Sequence, residues 1–208
     1  MLPLEAVLTY AVILVCSLSF HEAAHAWTAD RLGDPTARLL GRVTLNPLAH
    51  IDWIGTVLFP LVAIYSGAPL IGWAKPVPVS WSNLRDPRRD FAIVAAAGPI
   101  SNLLLACGGA LVLKLAVLAP GLAEGSSTVL RFVTLWVIVN VLLAVFNLLP
   151  VPPLDGGNVL AGLAPEPVAR VIDMLRPYGF FILYALMFTG VLSQVARPIH
   201  QGILQWLL

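Results

Sequence analysis

Residues Leu4–Ala29 read LEAVLTYAVILVCSLSFHEAAHAWTA, and this stretch decides the fold class. It is predominantly apolar and compatible with a helix of about 26 residues, which is long enough to cross a bilayer with some tilt. Its second half nevertheless contains His21, Glu22 and His25, and ionisable groups are costly inside a membrane. The stretch therefore predicts a membrane helix that carries polar chemistry.

The composition of the whole chain also indicates a membrane environment. Hydrophobic residues make up 59% of the 208 residues and charged residues only 11%, whereas charged residues make up about 25% of a typical soluble domain. The net charge of +1 provides no basic footprint for nucleic acid. We therefore expect membrane lipid around this chain and no nucleic-acid partner.

Further apolar runs continue the membrane pattern. Phe91–Ala119, Val129–Leu149 and Tyr178–Ala196 predict a second, a third and a fourth spanning helix. The run Ile54–Gly72 is interrupted by glycines and prolines, which predicts a segment that enters the membrane and returns, or lies against it. Because the chain shows no internal repeat and no linker, residues 1–208 are expected to form a single integral membrane domain.

The segments between the spans predict smaller elements. Ala37–Leu45 and Val77–Trp81 are expected to form short strands. Gly157–Arg176 predicts short interfacial helices, and Arg197–Leu208 predicts an amphipathic tail. The predicted fold class is all-α and polytopic, with about four spanning helices, a re-entrant or interfacial segment and short strands.

The sequence His21-Glu22-Ala23-Ala24-His25 fits the H-E-x-x-H pattern. Residues four apart share one helix face, so both imidazoles can bind one ion at about 2.0–2.1 Å. Glu22 points roughly a quarter-turn away, where it can act as a general base on a water molecule. The pattern predicts a catalytic zinc site that still lacks one protein ligand.

The candidates for the third ligand are His50, Asp52, His200 and Asp155. Asp155 lies in the sequence NLLPVPPLDGG at 147–157, where prolines end the preceding helix and glycines allow close backbone approach. An acidic side chain in such an apolar loop needs a partner, and a metal ion would provide one. This context favours Asp155, although a helix N-cap would also explain it.

Together these motifs resemble the site-2 protease family of intramembrane zinc metalloproteases. The resemblance rests on His21-Glu22-x-x-His25, Asn147-x-x-Pro150, Leu154-Asp155-Gly156 and Gly98-Pro99 with Asn102. It covers about Val12–Leu160. It is a resemblance to a minimal form of the family, because no room remains for the peptide-binding or nucleotide-sensing modules of some members.

The resemblance implies both a function and a set of roles. His21, His25 and Asp155 would bind one zinc ion per chain, and Glu22 would be the catalytic base. Asn147 would contact the substrate or the oxyanion that develops during hydrolysis. The expected substrates are transmembrane proteins, cleaved by regulated intramembrane proteolysis. The alternative is a metal-binding membrane scaffold without turnover, and the presence of both Glu22 and Asn147 favours the enzyme.

The predicted metal site constrains the topology. The first and third spans must end on the same side of the membrane if one ion is to bind both His25 and Asp155. The segment Ile54–Gly72 must then cross an even number of times. Nine of the twelve Lys and Arg residues fall on that side: Arg31, Arg38, Arg42, Lys75, Arg85, Arg88, Arg89, Arg170 and Arg176. The positive-inside rule makes this face cytoplasmic, and we expect a multi-pass protein of the cell membrane with its site near the cytoplasmic face.

Overall fold

The computed structural model of the protein describes residues 4–58, 62, 65, 74–118 and 127–208, and these residues form helices and turns without a β-strand. The helices are α1 (Leu4–Arg31), α2 (Thr36–Leu39), α3 (Pro87–Leu118), α4 (Ser127–Asn147), α5 (Asp155–Leu163), α6 (Glu166–Leu175), α7 (Gly179–Phe188) and α8 (Val191–Leu207). A π-helical stretch covers Trp53–Leu58, and short 3₁₀ turns occupy Pro47–Ala49, Trp81–Asn83 and Arg176–Tyr178.

Four helical stretches are long and apolar enough to cross a membrane: Glu5–Arg31, Pro87–Leu118, Ser127–Asn147 and Glu166–Phe188. The first three correspond to the spans expected from the sequence. In agreement with that expectation, the protein is an all-α polytopic membrane protein.

The prediction for the fourth span is wrong in its boundaries. The apolar run Tyr178–Ala196 is divided, because α7 ends at Phe188 and Gly190 adopts φ 75°, a left-handed conformation that ends a helix. The fourth spanning stretch begins earlier, at Glu166, and continues to Phe188. The predicted tail from Arg197 is the second half of α8, which packs against α4.

The prediction of short strands is also wrong for the residues that the structure describes. In Ala37–Leu45, the amide of Gly41 donates to the carbonyl of Arg38 and that of Arg42 to Ala37, so the chain closes into a helical turn. Residues 77–80 have no regular structure. The amide of Ser80 donates to the Asp34 carboxylate instead of a neighbouring strand.

Helix α3 is the centre of the bundle and packs against α1, α4 and α5. Small residues make these contacts close. A Cβ atom on Gly109 would lie 2.8 Å from Val137 Cγ2 in α4, and one on Gly162 in α5 would lie 2.8 Å from the carbonyl oxygen of Arg88. Close approach at small residues is a general way for membrane helices to associate. It brings α1, α4 and α5 around one stretch of α3.

The chain that leaves α1 meets the chain that enters α3. The Asp34 carboxylate accepts hydrogen bonds from the amide of Ser80 (2.7 Å) and from Asn83 Nδ2 (2.9 Å). The two ends of this connection therefore lie on the same face of the bundle, as an even number of crossings requires. Most of the segment Ile54–Gly72 lies outside the described residues.

This contact predicts a definite labelling pattern in cells. Single cysteines at Leu40 and Ser82 should share one side of the membrane, and a cysteine at Ser127, the first residue of α4, should lie on the other. In a background without Cys16 and Cys107, an impermeant thiol reagent applied to intact cells should label only the Ser127 position if the site faces the cytoplasm. Opposite accessibility at Leu40 and Ser82 would contradict the fold.

Candidate metal centre

The two histidines of the H-E-x-x-H sequence lie side by side on α1. Their ring centroids are 4.6 Å apart and the rings are nearly perpendicular. His21 is 4% exposed and His25 is 8% exposed. Because i and i+4 positions share one helix face, both Nε2 atoms point toward the same place between α1, α3 and α5.

Asp155, the first residue of α5, brings a carboxylate to this place. Its Oδ2 atom lies 3.0 Å from Nε2 of His21 and 3.4 Å from Nε2 of His25. Burial raises the pKa of the Asp155 carboxyl, but His25 and His21 lower that pKa by more and hold it well below its usual range. The third group is therefore an anion at neutral pH.

The turn before α5 is tight because two glycines follow Asp155. A Cβ atom on Gly156 would collide with the carbonyl group of Leu148, and one on Gly157 would lie 2.9 Å from the nitrogen of Pro152. The glycines in the sequence predicted close backbone approach here. The backbone that Gly156 and Gly157 approach is that of the preceding Pro-rich turn.

Arg88, near the start of α3, anchors the other end of α5. Its Nε donates to the carbonyl oxygen of Ala161 (3.1 Å), its Nη2 donates to that of Ala164, and its Nη1 pairs with Glu166 (2.9 Å). A cation at a helix C-terminus also interacts favourably with the helix dipole. Arg88 thus fixes α5, and with it Asp155, against α3.

The three groups fit a zinc ion. The ring Nδ1 of His25 is 2.7 Å from the carbonyl oxygen of Val94, which can only accept, so Nδ1 carries the proton. Nε2 of a neutral His25 is then a bare lone pair that faces a carboxylate. The buried Oδ2 of Asp155 has no hydrogen-bond partner. A tetrahedral zinc separates its ligands by about 3.4 Å, close to the observed 3.0 and 3.4 Å.

Gly98 in α3 forms the wall behind both histidines. A Cβ atom at this position would lie 2.6 Å from Nε2 of His21 and closer still to Nε2 of His25. A side chain here would occupy the space between the two nitrogens. Gly98 therefore leaves room for an ion where the three ligand groups meet.

Glu22 is buried beside the histidines, with 9% of its surface exposed. Arg42 is buried nearby and donates to the carbonyl oxygens of Lys75 and Pro76. Burial lowers the pKa of the Arg42 guanidinium, and the Glu22 carboxylate raises it. The two side chains therefore interact electrostatically.

Asn147, the last residue of α4, is not joined to the three clustered groups by any hydrogen bond among the described residues. Its Nδ2 donates to the carbonyl oxygen of Leu143 at 2.9 Å, within its own helix. The role inferred for Asn147 stays a prediction.

The other candidates for the third ligand have structural contacts elsewhere. His50 Nε2 lies 2.8 Å from the carbonyl oxygen of Thr44. The Asp52 carboxylate accepts from the amides of Ile54 and Gly55. His200 Nε2 lies 3.3 Å from the carbonyl oxygen of Ile138. The cluster of possible ligands found in the described residues is His21, His25 and Asp155.

Sequence reasoning missed the residues behind the histidines. The sequence analysis named Asn102 only as part of a family motif and assigned it no role. Its Oδ1 lies 2.7 Å from Nδ1 of His21. Asn140 and Ser17 bond to Asn102 and to each other and were not singled out at all. The available signal was an asparagine in the middle of the predicted span Val129–Leu149, with apolar neighbours on both sides, which is unusual inside a membrane.

Comparison with known proteins places the chain in a recognised group. The model of peptidase family M50 matches residues 115–188, which include Asn147 and Asp155 but not the histidines. The chain is 39% identical over 198 residues to a protein of Bacillus subtilis named "Putative zinc metalloprotease YwhC", covering 94% of this chain and 87% of the relative.

More distant relatives carry names of the same form. The chain is 32% identical to Rip2 of Mycolicibacterium smegmatis, over 86% of this chain and 66% of that protein. It is 29% identical to NMA0084 of Neisseria meningitidis, over 87% of this chain and 40% of that protein. No solved structure gave a significant match.

The position of Gly98 generates a prediction with an internal control. Gly98→Ala should abolish metal binding, because the added methyl group takes the space between the two Nε2 atoms. Gly108→Ala is the matched control, since it lies in the same helix with nothing within 4 Å of the added Cβ. Both changes improve helix propensity by up to about 1 kcal/mol, which at Gly98 offsets part of the cost of the methyl group against the buried histidines, so helix content is compared in both variants. Equal metal content in the two purified variants would contradict the geometry.

Proposed function

Because the chain belongs to peptidase family M50, the site-2 protease family, we propose that it is a zinc-dependent protease that cleaves membrane proteins within or beside their transmembrane segments. The observation that carries this proposal is the convergence of His21, His25 and Asp155 with Glu22 adjacent, inside a helix bundle built for the membrane. Relatives named as zinc metalloproteases support the choice of metal.

The depth of the site supports cleavage inside the bilayer. His21 lies ten residues before Arg31, the last residue of α1, and His25 lies six residues before it. At 1.5 Å per residue these positions are about 15 Å and about 9 Å below the helix end. A spanning helix crosses a hydrocarbon core of about 30 Å, so the proposed site lies within the membrane thickness and near one face.

One zinc ion per chain would be held by the two Nε2 atoms and by Oδ2 of Asp155. When bound, zinc supplies Lewis-acid chemistry: it makes water acidic enough to react near neutral pH and polarises the scissile carbonyl. The protein supplies three ligands, as expected for a catalytic site that keeps one position open.

Glu22 is the proposed general base. It follows His21 directly on α1, so its carboxylate lies beside the ligand face but does not share it. It would accept the proton of the attacking water and deliver it to the leaving amine. Arg42 is the cation that interacts electrostatically with Glu22 in the described structure.

Asn147 is the proposed contact for the substrate carbonyl. It ends α4 immediately before the turn that leads to Asp155. Its Nδ2 carries two hydrogens and donates one to the Leu143 carbonyl, so the other would donate to a developing oxyanion. The substrate must itself unwind locally, because helical hydrogen bonds occupy its carbonyl groups.

The proposed location is the cell membrane, with the site near the cytoplasmic face. This assignment rests on the basic residues at the end of the bundle that carries the site, among them Arg31 at the end of α1, Arg38 and Arg42 after it, and Arg88 near the start of α3. The alternative function is a metal-binding scaffold without turnover, which would not need a carboxylate at position 22.

The first functional prediction concerns the metal. Purified protein should contain close to one zinc per chain, and His21→Ala, His25→Ala and Asp155→Ala should each lose most of it, because two remaining ligands bind weakly. Asp52→Ala and His200→Ala serve as controls that should keep the metal. Zinc retained by Asp155→Ala but lost from Asp52→Ala would show that the third ligand is misassigned.

The second functional prediction separates catalysis from metal binding. Glu22→Gln preserves the size of the side chain but cannot accept a proton. It should keep the full zinc content while cleavage of a single-span membrane substrate falls by about 10²–10⁴-fold. Undiminished cleavage would exclude Glu22 as the base, and a wild-type protein that cleaves no membrane substrate would favour the scaffold.

A further inference from the structure

A chain of hydrogen bonds runs from His21 through the interior of the bundle. Asn102 Oδ1 lies 2.7 Å from Nδ1 of His21, and Asn102 Nδ2 donates to Asn140 Oδ1 at 2.9 Å. Asn140 Nδ2 donates to Ser17 Oγ and to the carbonyl oxygen of Trp136, both at 2.9 Å. Ser17, Asn102 and Asn140 are fully buried. This hydrogen-bond chain therefore joins α1, α3 and α4 through side chains that are shielded from solvent.

The far end of this chain has a fixed polarity. The carbonyl oxygen of Trp136 can only accept, so Asn140 must present its NH₂ group there and its Oδ1 toward Asn102. Asn102 must then donate through Nδ2, and the carbonyl oxygen of Ser17, 3.4 Å from the same Nδ2, favours this orientation as well. Asn102 is left with an acceptor, Oδ1, toward His21.

This polarity determines which nitrogen of His21 carries the proton. An acceptor at Nδ1 requires a proton there, so Nε2 of the neutral ring keeps its lone pair for a metal. A reversed amide would place a donor at Nδ1, move the proton to Nε2 and block metal binding. His25 needs no such chain, because a backbone carbonyl, that of Val94, contacts its Nδ1 directly.

We propose that Asn102, Asn140 and Ser17 are positioning residues that lock His21 in the Nδ1–H tautomer, with the carbonyl of Trp136 as the fixed end of the chain. None of them is a ligand or contacts the proposed ligand atoms of the zinc site. The proposal rests on the zinc site proposed above. Outer partners of metal-binding histidines commonly change metal affinity by about 10–100-fold when they are removed.

The direct test needs neither zinc nor a substrate. Nitrogen-15 NMR of metal-free Asp155→Ala protein, labelled only at its four histidines, distinguishes protonated from unprotonated ring nitrogens. The substitution removes the carboxylate that lies 3.0 Å from Nε2 of His21 and would itself hold a proton there. The His21 signals are identified by their loss in His21→Gln. At a pH where the ring is neutral, we expect a proton on Nδ1 and none on Nε2. A His21 ring protonated on Nε2 in this variant would overturn the proposal even if the wild-type protein binds zinc normally.

Variants test whether the chain acts at a distance. Asn102→Leu should weaken zinc affinity by about 10–100-fold, and Asn140→Leu, one step further away, by about 10-fold. Zinc affinity is measured by competition with a chelator of known affinity. Thr134→Val is the matched control in α4, because it removes only a bond to the carbonyl of Leu130. It should bind zinc as the wild type does.

The tautomer measurement makes the variants decisive. In the same metal-free Asp155→Ala background, Asn140→Leu should add a second His21 tautomer, protonated on Nε2, because Asn102 can then reverse. A purely structural role would leave the tautomer unchanged. A single Nδ1–H tautomer together with unchanged zinc affinity in Asn140→Leu would overturn the proposal. The expected tautomer in Asp155→Ala protein, together with wild-type protein that binds no zinc, would instead refute the proposed function.

Discussion

Three electron-pair donors converge in this bundle, and the rest of the structure serves to hold them together. Nε2 of His21, Nε2 of His25 and Oδ2 of Asp155 approach one another closely although lone pairs of this kind repel. A bound cation turns that repulsion into attraction. Each neighbouring element meets one requirement of this arrangement: α1 supplies the i, i+4 pair, Gly98 in α3 leaves room, and Arg88 fixes the helix that carries Asp155.

The surroundings of the site are polar but largely uncharged. The Nδ1 atoms of His21 and His25 contact an amide oxygen (Asn102) and a backbone carbonyl (that of Val94), whereas a carboxylate often occupies this position beside a metal-binding histidine. A second carboxylate buried in a membrane bundle would be costly without its own partner. An amide oxygen accepts a hydrogen bond from Nδ1–H without adding charge. A buried amide also has an NH₂ group that needs an acceptor. For Asn102 that acceptor is Oδ1 of Asn140, so the network extends to Asn140.

Much of the fold could be predicted because apolar length and the H-E-x-x-H spacing are local signals. The fourth span was misplaced because a single glycine, Gly190, breaks an apolar run that hydropathy alone treats as continuous. The strand prediction was wrong because contacts other than strand pairing use the backbone groups. The amide of Ser80, for example, donates to the Asp34 carboxylate. Asn140 was not predicted, since its partner Ser17 lies 123 residues away in the sequence and no local pattern records such a pair.

The measurement that tests the central claim most directly is zinc X-ray absorption spectroscopy of the purified protein. The account predicts a first shell of four nitrogen and oxygen atoms at about 2.0–2.1 Å, with outer-shell scattering from two imidazole rings. In Asp155→Ala protein reconstituted with zinc, the two-imidazole signal should remain while the light-atom shell changes. A sulfur neighbour at about 2.3 Å, contributed by Cys16 or Cys107, or scattering from fewer than two imidazoles, would contradict it.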